Sequence, residues 1–419
     1  MLNAASRRRL TPRRSRRSPV LVMALFGAFA AAAATGGARA DEKKYGPGVS
    51  DSEIKIGQTI AYSGPASSFG TIGRTISAYY RMINDRGGVN GRKITFISAD
   101  DGYNPARTVE QTRRLVEQEQ VLAIFGSLGS PTNASVQRYL NDRKVPQLFL
   151  FTGASRFRDP EKYPWTMGGD LSFVNETRAF ARFVLQSAPN PKIAILYQND
   201  DFGKDHINGF KAGLGDKADQ MIVMTASYEA TDPTVDSQVV ALKASGADVL
   251  LDVSIPKFAA QAIRRVYDIG WHPLHLISYP ASSVPVTLQP AGLEKAAGLV
   301  TAQFLKEPAD PAWKDDAEVR DYLAFARKYN PEVDPNDWGS VIGYYHAGAV
   351  VQLLAACGDD LTREHLMDRA THLQGMAVPM LLPGITMTTS PTDYSPIKQM
   401  QLQRFDGARW VSFGGVVEG

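Results

Sequence analysis

The chain alternates short apolar, β-rich runs with longer amphipathic ones, and it does so twice. Ile54 to Ala61 predicts a strand, and Gly70 to Asp85 a helix ending at Arg86-Gly87-Gly88. Strands follow at Lys93 to Ser98, Val121 to Phe125 and Gln147 to Phe151, with helices at Pro105 to Gln118 and Pro131 to Asp142. After Trp165-Thr166-Met167-Gly168-Gly169 the rhythm restarts. Helices at Asn175 to Gln186, Phe202 to Leu214, Val235 to Ala244 and Pro256 to Ile269 alternate with four further strands. Those strands are Lys192 to Tyr197, Met221 to Ser227, Asp248 to Val253 and Leu274 to Ser278. Strands separated by helices of ~10–15 residues make βαβ units, so the fold class is α/β, with two doubly wound parallel sheets side by side. Leu299 to Phe304 opens a third block with helices near Ala317–Lys328 and Trp338–Cys357. Gln399 to Phe405 and Trp410 to Phe413 flank Asp406-Gly407 and predict a hairpin; Thr388 to Pro396 reads as a crossing strand between domains.

The first forty residues stand apart from this pattern. Met1 to Ser18 carries seven arginines and no acid, Val20 to Ala34 is apolar and alanine-rich, and Ala38-Arg39-Ala40 has the small-x-small form of a cleavage site. Residues 1–40 are therefore expected to be a signal peptide, with Asp41 as the mature N-terminus; the apolar run is short for a membrane span of ~20 residues. Ser15-Arg16-Arg17 resembles a twin-arginine signal, but Pro19 breaks that pattern, so the export route stays open. The leader holds eight of the 46 Lys and Arg and none of the 43 Asp and Glu, leaving 38 bases against 43 acids, a net of about −5. An acidic exported chain is a poor match for nucleic acid. Cys357 is the only cysteine, which excludes internal disulfides and cysteine-rich zinc sites, and its helical surroundings predict a small buried hydrophobe. A mature chain of this length exceeds what one core usually serves, so two domains are expected.

Catalytic and cofactor signatures are missing. Gly126-x-x-Gly129 is not the dinucleotide pattern, and no G-x-x-x-x-G-K-[ST] or G-x-S-x-G occurs. His272 and His275 flank Pro273 in an extended run without a third metal ligand. Asp100-Asp101 and Asp200-Asp201 each precede a helix and read as loop and capping residues. No enzyme activity, catalytic residue, metal or cofactor is expected.

Binding remains. Phe125-Gly126-Ser127-Leu128-Gly129-Ser130 leaves a strand end and opens onto the helix at Pro131, where free N–H groups and the helix dipole favour an anion. The next strand ends in Thr152-Gly153-Ala154-Ser155, so two donor-rich turns face one crevice, where open α/β sheets bind ligands. These residues allow ordinary capping by Ser130 equally well.

The chain resembles the leucine/isoleucine/valine-binding protein family, the type I periplasmic solute receptors of ABC importers. The markers are Ile54-Lys55-Ile56-Gly57, Ser63-Gly64-Pro65, Phe69-Gly70, Ile83-Asn84-x-x-Gly87-Gly88-Val89-Asn90-Gly91, Asp100-Asp101 with Pro105, Phe125-Gly126 with Ser130, Val145-Pro146, and Tyr197-x-x-Asp200-x-Phe202-Gly203. The resemblance implies two lobes joined by three crossing strands: Asp41–Met167 plus Phe304–Thr386, and Gly168–Gln303 plus Met387–Gly419. It implies closure on a small molecule, delivery to ABC permease subunits at the inner membrane, a periplasmic location and a monomer; a signalling receptor is the alternative partner.

Residue by residue, the resemblance puts hydroxyls at Ser130 and Ser155 on a ligand carboxylate, helped by the backbone of Gly129, Gly153 and Ala154, while the turn itself offers Ser127 as a further hydroxyl donor. It puts aromatic walls at Phe69 and Phe202 and a small polar contact at Ser254. Amino-acid-binding members carry an acid for the ligand ammonium where this chain reads Tyr279-Pro280-Ala281-Ser282-Ser283. An unpaired buried ammonium forgoes a charge-assisted hydrogen bond of ~1.5–3 kcal/mol, so the expected ligand is a carboxylate without an α-ammonium. Aromatic acids come first and branched-chain amino acids second; Asp252, at a strand end, is the acid considered as a replacement.

Overall fold

The computed structural model describes residues 43–419, so the expected signal peptide and its cleavage site lie outside the described residues. β1 (Lys44–Tyr45) is followed by β2 (Glu53–Ile60), α1 (Gly70–Asp85), β3 (Lys93–Asp100) and α2 (Pro105–Arg113). Then come β4 (Ala123–Phe125), α3 (Ser130–Asp142), β5 (Gln147–Leu150) and β6 (Thr166–Gly168). The last five strands form one sheet in the order β3-β2-β4-β5-β6, parallel throughout. β2 is buried along nearly its whole length, as a central strand covered on both faces must be.

The second repeat runs α4 (Phe173–Ser187), β7 (Ile193–Gln198), α5 (Asp201–Leu214), α6 (Ala218–Met221) and β8 (Ile222–Tyr228). It continues with α7 (Asp236–Ala244), β9 (Val249–Val253), α8 (Pro256–Asp268) and β10 (Leu274–Ile277). Short helices α9 (Gln289–Ala291) and α10 (Leu293–Ala296) lead to β11 (Val300–Gln303). The chain then returns to the first sheet with α11 (Ala317–Tyr329), α12 (Trp338–Ala356), β12 (Asp360–Leu361) and α13 (Arg363–Ala370). β12 pairs with β1, and α12 packs along α1. Gly343 permits that approach, since a Cβ there would lie 2.9 Å from the carbonyl oxygen of Ile72.

The hairpin of β13 (Gln399–Phe405) and β14 (Trp410–Glu418) closes the second sheet, in the order β14-β13-β11-β10-β9-β7-β8. β13 is antiparallel to β11 and β14, while the other neighbours are parallel. The molecule is thus an α/β pair of lobes, and the chain passes between them after β6, after β11 and before β13. The expected strand at Thr388 to Pro396 is corrected: this stretch turns back through a bridge between Ser390 and Asp393. Pro391 and Pro396 offer no N–H to a ladder, and only Ile397 bridges Leu171 of the first crossing.

The acids before helices behave as loop anchors. Asp100 accepts from the N–H groups of Tyr62, Ser63 and Gly102 and from Ser63 Oγ, and these bonds bring its carboxyl down to about 2 against the opposing effect of burial. Asn104, not Asp101, caps α2, accepting from the N–H groups of Ala106 and Arg107. Asp200 caps α5 through the N–H groups of Phe202 and Gly203.

Candidate functional site

A cavity with about 410 Å³ of atom-free space, partly open to solvent, lies between the C-terminal ends of the two sheets. Strand ends and helix starts build its wall. Phe69, Tyr103, Leu128, Phe151 and Trp338 come from the first lobe; Phe173, Phe202, Ile255, Tyr279 and Pro280 come from the second. The polar lining is sparse: Gly129, Ser130, Thr152 and Asp170.

Ser130 opens α3, and its Oγ lies 2.8 Å from Thr152 Oγ1, so the two strand-end turns share a hydroxyl pair at the cavity. Gly129 sits at φ 94°, and a Cβ on it would stand 2.5 Å from the Tyr103 ring, so a side chain there would obstruct the wall. Asn133 Nδ2 donates to the carbonyls of Ser127 and Gly129 and locks the turn. The backbone N–H of Ser130 belongs to the first turn of α3, whose amides have no carbonyl partner within the helix, and the dipole adds partial positive charge there.

Five of the expected site residues line the cavity: Phe69, Gly129, Ser130, Phe202 and Tyr279. The other five stand elsewhere. Ser127 is committed to the end of β2, its Oγ accepting from the Thr59 N–H at 3.0 Å. Gly153 is a spacer, since a Cβ would stand 2.2 Å from the Leu171 carbonyl oxygen. Ala154 is buried and donates its N–H to Thr152 Oγ1. Ser254 is fully buried, and its Oγ has no hydrogen-bond partner among the described residues. Ser155, expected opposite Ser130, turns away: its N–H donates to Asp205 Oδ2 at 2.6 Å and its Oγ donates to both oxygens of that carboxylate. Asp205 satisfies the donors that the resemblance offers to a ligand.

Asp252 likewise stands outside the cavity lining. Its carboxylate is fully buried with His275 Nε2 at 3.5 Å, which makes it part of the core of the second sheet. The acid at the cavity is Asp170, just past β6 in the first crossing. His346 Nε2, from α12, donates to Asp170 Oδ1 at 2.8 Å, and Arg158 Nη2 donates to its carbonyl. The His346 ring also lies against Phe151, tilted by 33° with 3.8 Å between ring centroids.

Behind the opposite wall, Glu176 and His206 are fully buried, and Glu176 Oε2 meets His206 Nε2 at 2.9 Å. His206 Nδ1 donates to the Phe202 carbonyl, and Glu176 Oε1 accepts the Tyr279 N–H, so one pair fixes two wall residues. Burial holds the Glu176 carboxyl above its ordinary range. Cys357 lies apart from the cavity lining, 4 % exposed, with burial pushing its thiol up to about 12.

Residues 53–409 match the family model described as periplasmic binding protein. The chain belongs to the periplasmic binding protein family. Among curated relatives, Leu/Ile/Val-binding protein homolog 7 of Brucella abortus is 25% identical over 254 residues, 55% of this chain and 60% of that protein. The chain thus spans about 60% of the length of the curated relatives it matches first. Two solved structures share the fold. One is a branched chain amino acid ABC transporter from Thermus thermophilus with bound valine; its TM-score is 0.79 at 16% identity, covering 88% of this chain and 98% of that one. The other is a fatty acid ABC transporter substrate-binding protein from Thermomonospora curvata, with TM-score 0.74 at 23% identity, covering 91% and 96%.

Sequence reasoning did not single out Tyr103, Leu128, Phe151, Asp170, Phe173, Ile255, Pro280 or Trp338 as wall residues of this periplasmic binding protein, and it named Thr152 only as part of a donor-rich turn. A signal for Asp170 was present. It follows a strand end, as Ser130 does, but β6 is three residues long and passed unread.

Proposed function

We propose that the protein is the periplasmic substrate-binding component of an ABC importer, closing on a small carboxylate-bearing solute and handing it unchanged to membrane permease subunits. It acts as a binder rather than an enzyme, and as a monomer. The observation that carries this reading is the Ser130–Thr152 hydroxyl pair at the start of α3, facing an aromatic-walled cavity between two lobes. Hydroxyl and N–H donors at a helix start suit a carboxylate. Phe69, Phe202, Phe173 and Trp338 suit an aromatic or aliphatic body, with an aromatic acid as the first reading.

Asp170 favours a second reading. A carboxylate on the cavity wall, with one oxygen held by His346, is a natural partner for the ammonium of an amino acid. The expectation that no acid was available rested on the stretch after β10, whereas the crossing after β6 supplies one. Titration calorimetry against benzoate, phenylacetate, leucine, phenylalanine, a neutral amide and a sugar tests both readings. Heat from the first two alone supports the aromatic acid, and heat from the next two supports the amino acid. Response to the amide or the sugar alone refutes the carboxylate.

A further inference from the structure

The loop between β5 and β6 meets the second lobe near the crossings, where Gly153, Arg158 and Pro164 bond Phe173, Asp170, Ser395 and Tyr394, and also away from them, where Ser155 and Arg156 lie against α5. Ser155 gives both its N–H and its Oγ to Asp205, at 2.6 to 3.0 Å. Beside it, Arg156 Nη1 donates to Asp201 Oδ2 at 2.8 Å. Asp201 and Asp205 are four residues apart on α5 and so share one helix face. Arg156 is aimed in advance: its Nε donates to Gln137 Oε1, and Gln137 Nε2 returns a bond to its carbonyl. Little side-chain freedom is then lost when the lobes meet.

We propose that Asp201 and Asp205 form an anionic latch that holds the two lobes closed through Ser155 and Arg156, and that affinity for any solute depends on residues that never touch it. Because the lobes are covalently linked, each latch bond acts directly on the ratio of closed to open molecules. A solute that needs the closed form binds in proportion to the closed fraction, so weakening the latch weakens every solute by the same factor. Asp205 also satisfies the Ser155 donors without a ligand, so closure does not wait for a ligand carboxylate to fill them. The inference is independent of which solute the cavity takes.

The test uses ligand-free protein, with spin labels on Arg138→Cys and Lys217→Cys, both exposed and on opposite sides of the cleft. The one native cysteine is buried and escapes labelling. Pulsed electron–electron resonance is expected to show a closed population in the otherwise unchanged protein. Asp201→Asn with Asp205→Asn should lower the closed-to-open ratio about tenfold or more. High salt should lower it too, because the Arg156 and Asp201 side chains are 38% and 39% exposed. Swapping the pair, Arg156→Asp with Asp201→Arg, should recover part of the closed fraction, which a merely damaged fold cannot do. Identical distance distributions for the doubly neutral variant and its parent, or no closed population in the parent, would overturn the proposal.

Discussion

Two buried histidine–carboxylate pairs flank the cavity, and only one is closed on itself. Glu176–His206 has both imidazole nitrogens and both carboxylate oxygens engaged, through three contacts: one to Phe202, one to Tyr279 and one within the pair. Asp170–His346 is half finished: His346 Nδ1 has no partner among the described residues, and Asp170 lines the cavity. A satisfied buried network specifies structure, whereas a carboxylate with spare acceptor capacity on a cavity wall is available to a ligand. The same two residue types thus frame one wall and equip the other.

Breaking the closed pair should have the largest effect. Glu176→Ala strands His206 and the Tyr279 N–H in the core and is expected to lower stability by ~3–5 kcal/mol, read by urea unfolding. Glu176→Gln keeps the shape and isolates the proton. A carboxyl raised by burial contributes stability that is full below the ordinary value of 4.5 and is lost as pH rises through its folded value. Wild type should therefore gain stability relative to Glu176→Gln as pH falls towards 4.5; parallel profiles would mean the pair does not hold that proton.

At the open pair the effect should move from folding to binding. Asp170→Asn is expected to weaken an amino acid about tenfold or more while leaving a desamino acid within about twofold, by calorimetry. Equal losses for both would make Asp170 a frame residue like Glu176. Ser130→Ala should cost a carboxylate ligand ~1–2 kcal/mol, with the polar contacts of Asp170 untouched. Smallest of all, Cys357→Ala should leave affinity unchanged and stability within ~1 kcal/mol.

Most of the fold was legible because strand and helix periods alternate with few interruptions, and α1 was read at its observed limits, Gly70–Asp85. What escaped was short or polar: β6 has three residues ending in glycine, and α13 carries charges through most of its turns. The site was legible where chemistry lay within one turn, as at Gly129-Ser130. It was illegible where chemistry depended on juxtaposition. Nothing in the run Thr152 to Ser155 reveals that Asp205, fifty residues on, takes the Ser155 donors. Nor does Asp170 reveal a histidine brought to it from α12. Asp252, considered as a replacement acid, is buried against His275, a partner from the neighbouring strand that its own position does not reveal.

The three passages between lobes also govern how the molecule can come into being. β11 has β13 as its outer neighbour, pairing Val300 with Arg404, and Arg363 donates to the carbonyls of Val121 and Leu122 in the first lobe. Neither lobe is therefore a continuous piece of chain, and each waits for a segment made much later. Contacts of such long sequence separation slow folding, because the intervening loop must be ordered first. The hairpin of β13 and β14 covers the outer edge of β11, so the second sheet cannot be finished on that side until a segment about a hundred residues later in the chain is in place.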